Sequence, residues 1–328
     1  VYGYAFDPPT DPALFAQLGL AGRIAGQRIA DIRDRNAVRG YVSAVRPDFV
    51  FHLAAQPLVR LSYEEPVETF ETNVMGTVNV LEALRLASHP CAIVCITTDK
   101  CYENREWLHS YRECDPMGGH DPYSASKGMA ELAIAAYRRS FFSSATTDVW
   151  VASARAGNVI GGGDWAKDRI VPDCIRALQR GETILVRNKA ATRPWQHVLE
   201  PLGGYLALGA ALAGGIAARK WKSHEMFCGP FNFGPALQSN RTVGELVAEV
   251  LKTWPGEWEG RSEQDAVHEA TLLNLATDKA YHLLDWSPRW TFEEAVAATV
   301  SWYKQVNGGA DPVALTRSQI AEYCGSKK

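Results

Sequence analysis

A chain of 328 residues is long enough for one full-sized domain and a smaller partner. Its 46% hydrophobic and 22% charged residues make an ordinary soluble globular composition. With 34 basic against 37 acidic residues and a net charge of −3, no basic surplus points to nucleic acid or an anionic membrane as the main partner. Any bound phosphate must therefore be held by a few placed arginines.

Taken in order, residues 1–7 read as a strand ending in Asp7, followed by the loop Pro-Pro-Thr-Asp-Pro. An acid ending the second strand of a dinucleotide-binding unit bonds the adenosine ribose and repels a 2′-phosphate, which favours NAD. No first strand and no Gly-x-x-Gly-x-x-Gly turn stand ahead of Asp7, so an amino-terminal segment is expected to be missing. Residues 28–32 form a short strand ending in Asp31-Ile32, then come a helix over 33–45 and a strand over 49–53. Leu53, Ala54, Ala55 and Gln56 close that strand with small residues where a cofactor can pass. Arg60 in the next loop is either a solvated charge or a substrate contact.

Pro66 suits the first turn of a long helix over 67–87, which carries Asn73. The apolar run 91–96 is a buried strand and ends in Thr97-Thr98-Asp99-Lys100. The loop 103–121 has no metal-ligand spacing, and a helix over 122–142 opens with Tyr123-Ser-Ala-Ser-Lys127. After a strand over 149–155 the Gly-rich run 156–165 contains Asn158, Asp164 and Trp165, with Arg169 beyond it. Helices over 170–179, 199–213, 243–251 and 292–303 alternate with short strands, and a further helix begins at Asp278. The segment Arg193-Pro-Trp-Gln-His197 lies between them, and 311–328 reads as a polar tail.

Strands alternating with helices predict an α/β fold: a Rossmann-type doubly wound parallel sheet over 1–156, and a smaller α/β substrate domain over 157–328 with some segments returning to the sheet. The seven cysteines show no Cys-x-x-Cys pair, so no metal site is expected, and with no signal peptide they suggest a reducing cytoplasm. The apolar run 203–218 falls short of the roughly 20 residues of a membrane span.

Four-residue spacing on a helix stacks Tyr123 and Lys127 on one face. A fixed ammonium beside a phenol favours phenolate, so Tyr123 can take a proton from an alcohol, as oxidation to a ketone requires. Strand-Thr-Thr-Asp, Tyr-x-x-x-Lys and strand-His-Leu-Ala-Ala together resemble the extended short-chain dehydrogenase/reductase family.

Thr98 to Asn104, Tyr123 to Lys127, Arg155 to Trp165 and Arg193 to His197 narrow the resemblance to nucleotide-sugar 4,6-dehydratases, nearest the branch that acts on CDP-glucose. That resemblance implies an internal redox cycle on NAD. Hydride leaves carbon 4, water is lost across carbons 5 and 6, and the hydride returns to carbon 6. It makes Tyr123 the base for the 4-hydroxyl, Lys127 a ligand of the nicotinamide ribose as well, Thr98 a partner of the 4-oxygen, and Asp99 the acid for the 6-hydroxyl. Asp31, Ile32, Leu53 to Gln56, Asn73 and Thr97 are then expected near the cofactor. Arg60, Asn158, Asp164, Trp165, Arg169, Arg193 and His197 are expected near the substrate, where either of the last two arginines could fork onto a diphosphate.

Many family members have Glu after the Asp as carbon-5 base; this chain has Lys100. Lys100 is expected as the base, which requires that strong desolvation strip its proton; otherwise it stabilises the enolate and another group, or a water, takes the carbon-5 proton. A 4,6-dehydratase for another nucleotide-sugar, a 4-epimerase and a non-catalytic nucleotide-binding protein remain alternatives. The family pairs through the helices over 67–87 and 123–142, so a homodimer or a dimer of dimers is expected.

Overall fold

The computed structural model describes residues 1–142, 147–217, 222–260 and 272–325. Strands β1 (Tyr2–Ala5) and β2 (Gly26–Ile29) pair in parallel with each other. Strands β3 (Phe49–His52), β4 (Cys91–Ile96) and β5 (Val149–Arg155) are parallel neighbours in a four-stranded sheet of order β10-β5-β4-β3. The short strands β6 (Val159–Ile160), β7 (Ile184–Val186), β8 (Thr192–Pro194) and β9 (Gln196–His197) follow. Beyond them β10 (Pro230–Asn232) returns to β5, and β11 (Asn240–Thr242) and β12 (Trp258–Gly260) pair with β8 and β7.

Both faces of β4 are buried, as its uninterrupted Cys-Ala-Ile-Val-Cys run requires. Cys91, Ile93 and Cys95 face the helices Arg35–Val45, Gly76–Ala87 and Pro122–Ser140, with Val38, Leu81, Leu84 and Ile134 in one cluster. Ala92 and Val94 face the opposite layer, where Leu208 and Leu212 of the helix Leu199–Ala217 meet Phe231 and Phe233. A third cluster unites Ile175, Val247 and Trp302 and forms the core of the carboxy-terminal part.

Three readings of the sequence need correction. The strand expected over 28–32 ends at Ile29, and Asp31 lies in the following turn, where its carboxylate accepts from the Arg33 backbone and Nε. The single helix expected over 67–87 is Pro66–Phe70, a wider turn Glu71–Met75, and Gly76–Ala87. The tail expected over 311–328 is a helix, Pro312–Gly325, whose last three residues of chain lie outside the described ones. Asp311 caps it by accepting from Val313 N and Ala314 N, and Tyr323 ties it down by donating to Glu200.

Candidate active site

In an open parallel sheet the ligand crevice lies beyond the carboxyl ends of the strands. There β4 delivers Thr97, Thr98 and Asp99, and β5 delivers Ala156, Gly157 and Asn158. Asp121 caps the helix Pro122–Ser140 by accepting from Ser124 N at 2.9 Å, and Pro122 occupies the first helical turn. Tyr123 and Lys127 are thereby fixed one turn apart, and both are buried.

These elements converge. The Tyr123 phenol is hydrogen-bonded to Thr98. Thr98 Oγ1 donates to Asp99 Oδ1 at 2.9 Å, and Asn158 Nδ2 donates to Asp99 Oδ2 at 3.4 Å. Asp99 is 1% exposed, and burial raises its pKa against the opposing charges of Lys100 and Arg193. A carboxyl held above its ordinary range is suited to giving up a proton as a general acid. Arg169 acts in the same way on Tyr123, so Lys100, Arg169 and Arg193 all bear on one cluster.

The expected drop in the Tyr123 pKa is absent. Burial pushes the phenol up to about 12, the charge of Asp99 adds to the rise, and Lys127 is not among the groups that lower it. Burial acts on Lys127 too and pushes its ammonium down to about 8. The helical spacing was right, but desolvation of both groups outweighs their mutual effect. Lys100 is half-buried next to Asp99, on which its charge acts.

The residues expected near a cofactor divide into those free to bind and those committed to the protein. Ala54 and Ala55 are half-buried in the turn after β3, and Leu53 is 54% exposed. Asn73 is buried and holds that turn: it accepts from Gln56 N at 2.8 Å and donates to Gln56 O and Ser126 Oγ. Both its amide hydrogens are therefore used. The Gln56 amide donates to Leu58 O and Thr69 Oγ1, and Thr97 Oγ1 donates inward to Glu131 at 2.6 Å. Ile32 is packed beneath Gly76, and Asp31 is bound to Arg33. Asp7 is exposed at the end of β1, where it lines a cavity of about 360 Å³ with Ala5, Leu14 and Ile29.

On the substrate side, Asp164 pairs with Arg169 at 3.6 Å and Arg60 with Asp168 at 4.0 Å. Trp165 is half-buried and meets the Tyr303 ring edge-on. Arg193 is buried and donates to Thr192 O. His197 is 1% exposed against Trp290, with burial pushing its pKa down to about 4. Its Nδ1 accepts from Leu199 N at 3.3 Å.

Two contributors were passed over in the sequence. A Cβ on Gly157 would overlap every atom of the Asp99 carboxyl, so glycine there is what admits the acid. Gln196 holds Gly157 in place by donating to its carbonyl and to Phe233 O. Both sit inside the motifs noted above, but their roles depend on contacts across the sheet that no spacing encodes.

A family model described as GDP-mannose 4,6 dehydratase matches residues 27–299. The chain is 45% identical to the CDP-glucose 4,6-dehydratase of Salmonella typhimurium, over 98% of this chain and 89% of that protein. Its fold is similar to that of the UDP-glucose 4-epimerase of Thermotoga maritima, with a TM-score of 0.74 and 19% identity over 93% of this chain and 99% of that one. It is also similar to the dTDP-glucose 4,6-dehydratase of Bacillus anthracis solved with NAD, with a TM-score of 0.71 and 18% identity over 94% and 90%. At those identities the two structures establish the fold alone.

Proposed function

Because the chain belongs to the GDP-mannose 4,6 dehydratase family, we propose that it is an NAD-dependent hydro-lyase converting CDP-glucose to CDP-4-keto-6-deoxyglucose and water, a step of deoxysugar biosynthesis. The observation that carries this reading is Asp99, a sealed carboxyl held toward its protonated form and bonded through Thr98 to Tyr123. A 4-epimerase leaves the 6-hydroxyl in place and has no use for such an acid.

The residues present fit NAD. Lys127 carries three ammonium protons in a buried position, yet its nearest acceptor is Ile96 O at 3.5 Å, which leaves protons for a ribose diol. Ala54 and Ala55 leave room for a backbone to pass, and residues 1–156 form the cofactor half of this reading, with 157–328 mostly holding the nucleotide-sugar. NAD, when bound, takes up and returns the hydride.

The protein's own groups move the protons. Tyr123, once it has shed its own proton, takes the proton of the 4-hydroxyl, with Thr98 bonded to the same oxygen. Once carbon 4 is a ketone the carbon-5 hydrogen is acidic; a water takes that proton, leaving an enolate, and the proton returns to carbon 5 when the hydride reaches carbon 6. Asp99 then protonates the 6-hydroxyl as the C6–O bond breaks, releasing water. Lys100, half-buried beside Asp99, acts as an ammonium that steadies the enolate charge. Arg169 and Arg193 are the residues assigned to the diphosphate.

No helix among the described residues is long and apolar enough to cross a membrane. This and the scattered free cysteines support a cytoplasmic enzyme. Met75 and Leu86 on the successive segments Glu71–Met75 and Gly76–Ala87, and Met129 and Leu132 on the helix Pro122–Ser140, are exposed and support pairing of two copies through these helices.

Incubation with CDP-glucose, followed by mass spectrometry, tests the central reading. Loss of one water from CDP-glucose, in preference to UDP-, GDP- and dTDP-hexoses, is the expected result. Isomerisation without a change of mass would overturn it.

A further inference from the structure

Tyr123, Lys127 and Glu131 follow at four-residue intervals on one helix, so the three ionisable groups rise along one face. Glu131 is 5% exposed, and its carboxylate accepts three hydrogen bonds. Thr97 donates to Oε1 at 2.6 Å, while Ser153 and Arg155 donate to Oε2 at 2.8 and 2.7 Å. Arg155 is itself held by donating to the Tyr102 phenol at 2.6 Å, which in turn donates to Asn232 at 2.7 Å. Burial would raise the Glu131 pKa, but Arg155 and these donors bring it below the ordinary carboxylate value. A fixed negative charge is thus built into the core directly behind Lys127.

The other groups that act on Lys127 carry no charge at neutral pH. Cys95 on β4 and Cys101 in the following turn are buried thiols pushed far above their ordinary range. His52 on β3 is buried, its pKa pushed down to about 3, and hydrogen-bonded to Thr77. No carboxylate lies within 4 Å of Lys127 among the described residues, and burial pulls its ammonium toward neutrality even with Glu131 in place.

We propose that Glu131 is a positioning residue for the reaction, holding Lys127 as an ammonium at neutral pH, with Arg155, Thr97 and Ser153 keeping the carboxylate ionised and aimed. The proposal rests on the reading of Tyr123 and Lys127 as the proton-handling pair. A buried Glu–Arg pair is poor evidence of added stability, since desolvation of both ions consumes the Coulombic gain. A function for the carboxylate beyond the pair itself explains why three partners converge on it.

The test follows Lys127 directly. Lysine labelled with carbon-13 at Cε is titrated by NMR, with the Lys127 signal identified by its loss in Lys127→Arg. Glu131→Gln is expected to lower the Lys127 midpoint by about one pH unit or more, whereas Glu131→Asp, which keeps the charge, restores most of it. The alkaline limb of CDP-glucose turnover should move with the midpoint. A double variant, Glu131→Gln with Arg155→Met, removes both buried charges together and should give a smaller downward shift, since loss of the Arg155 cation partly offsets loss of the carboxylate, if the single variant folds poorly. An unchanged Lys127 midpoint in either variant, with only a lower melting temperature, overturns the proposal and makes the pair structural. If the wild-type protein dehydrates no nucleotide-sugar while Lys127 still shifts, the functional reading fails and the electrostatic one stands.

Discussion

Replacing Gly157 with alanine tests the geometry of the proposed acid. The added Cβ would overlap Oδ1, Oδ2 and Cγ of Asp99. Carbon contacts settle near about 3.5 Å, so the carboxyl must retreat by on the order of 1 Å. Retreat is obstructed: Thr98 and Asn158 hold the two oxygens, and Gln196 holds the Gly157 carbonyl. A displacement of about 1 Å at a catalytic group costs roughly 100-fold in rate, and overpacking costs about 1–3 kcal/mol of stability. The assay is single-turnover dehydration of CDP-glucose by mass spectrometry, with circular dichroism to follow unfolding. The expected variant is folded, binds CDP with ordinary affinity and is slowed about 100-fold in kcat. A rate within threefold of wild type in a folded Gly157→Ala protein would refute the claim that the glycine exists to admit Asp99.

Asp99→Asn should lower kcat by roughly 100- to 10,000-fold with CDP binding retained, and a rate close to that of the wild type in the folded variant would count against Asp99 as the donor. Lys100→Arg should keep much more activity than Lys100→Met, because the ammonium role needs charge; equal loss in both would restore Lys100 as the carbon-5 base. His52 and His197 are buried and neutral, with pKa values near about 3 and about 4. The unfolded chain binds these protons first, so their contribution is complete above pH 6.5 and is lost as pH falls toward 4, by roughly 3 kcal/mol each. Melting temperature should therefore fall less steeply from pH 7 to 4.5 in His197→Gln, and a parallel fall would contradict the assignment. Finally, Met129→Glu with Leu132→Glu should sediment as a monomer; an unchanged profile would rule out pairing through that face.

Much of the site was legible because its elements are local. The apolar run 91–96 could only be a buried strand, and it fixed where Thr98 and Asp99 emerge. Tyr123 and Lys127 lie on one helix, so their spacing alone placed them together. The need for a raised Asp99 pKa followed from its role as acid, and the structure supplies it by burial. The Tyr123 pKa was misjudged because the sequence gives the neighbour and not the solvent: burial of both groups reversed the expected shift. Asn73 and Gln56 could be seen as polar residues near a turn, but not as each other's partners, since 17 residues of chain separate them. The closing helix was read as a polar tail because its anchors are single contacts, Tyr323 to Glu200 and Thr316 to Trp302, with no continuous apolar stripe.

The sequence by itself determined the alternation of strands and helices, the family resemblance and which residues are proposed to react, because each depends on periodicity or on residues close in the chain. Tertiary structure alone decided which carboxyl is sealed from water, which amides are already occupied, why residue 157 is glycine and what stands behind Lys127. Those properties arise where separate strands and helices meet, and desolvation acts on a group only once the fold has closed over it.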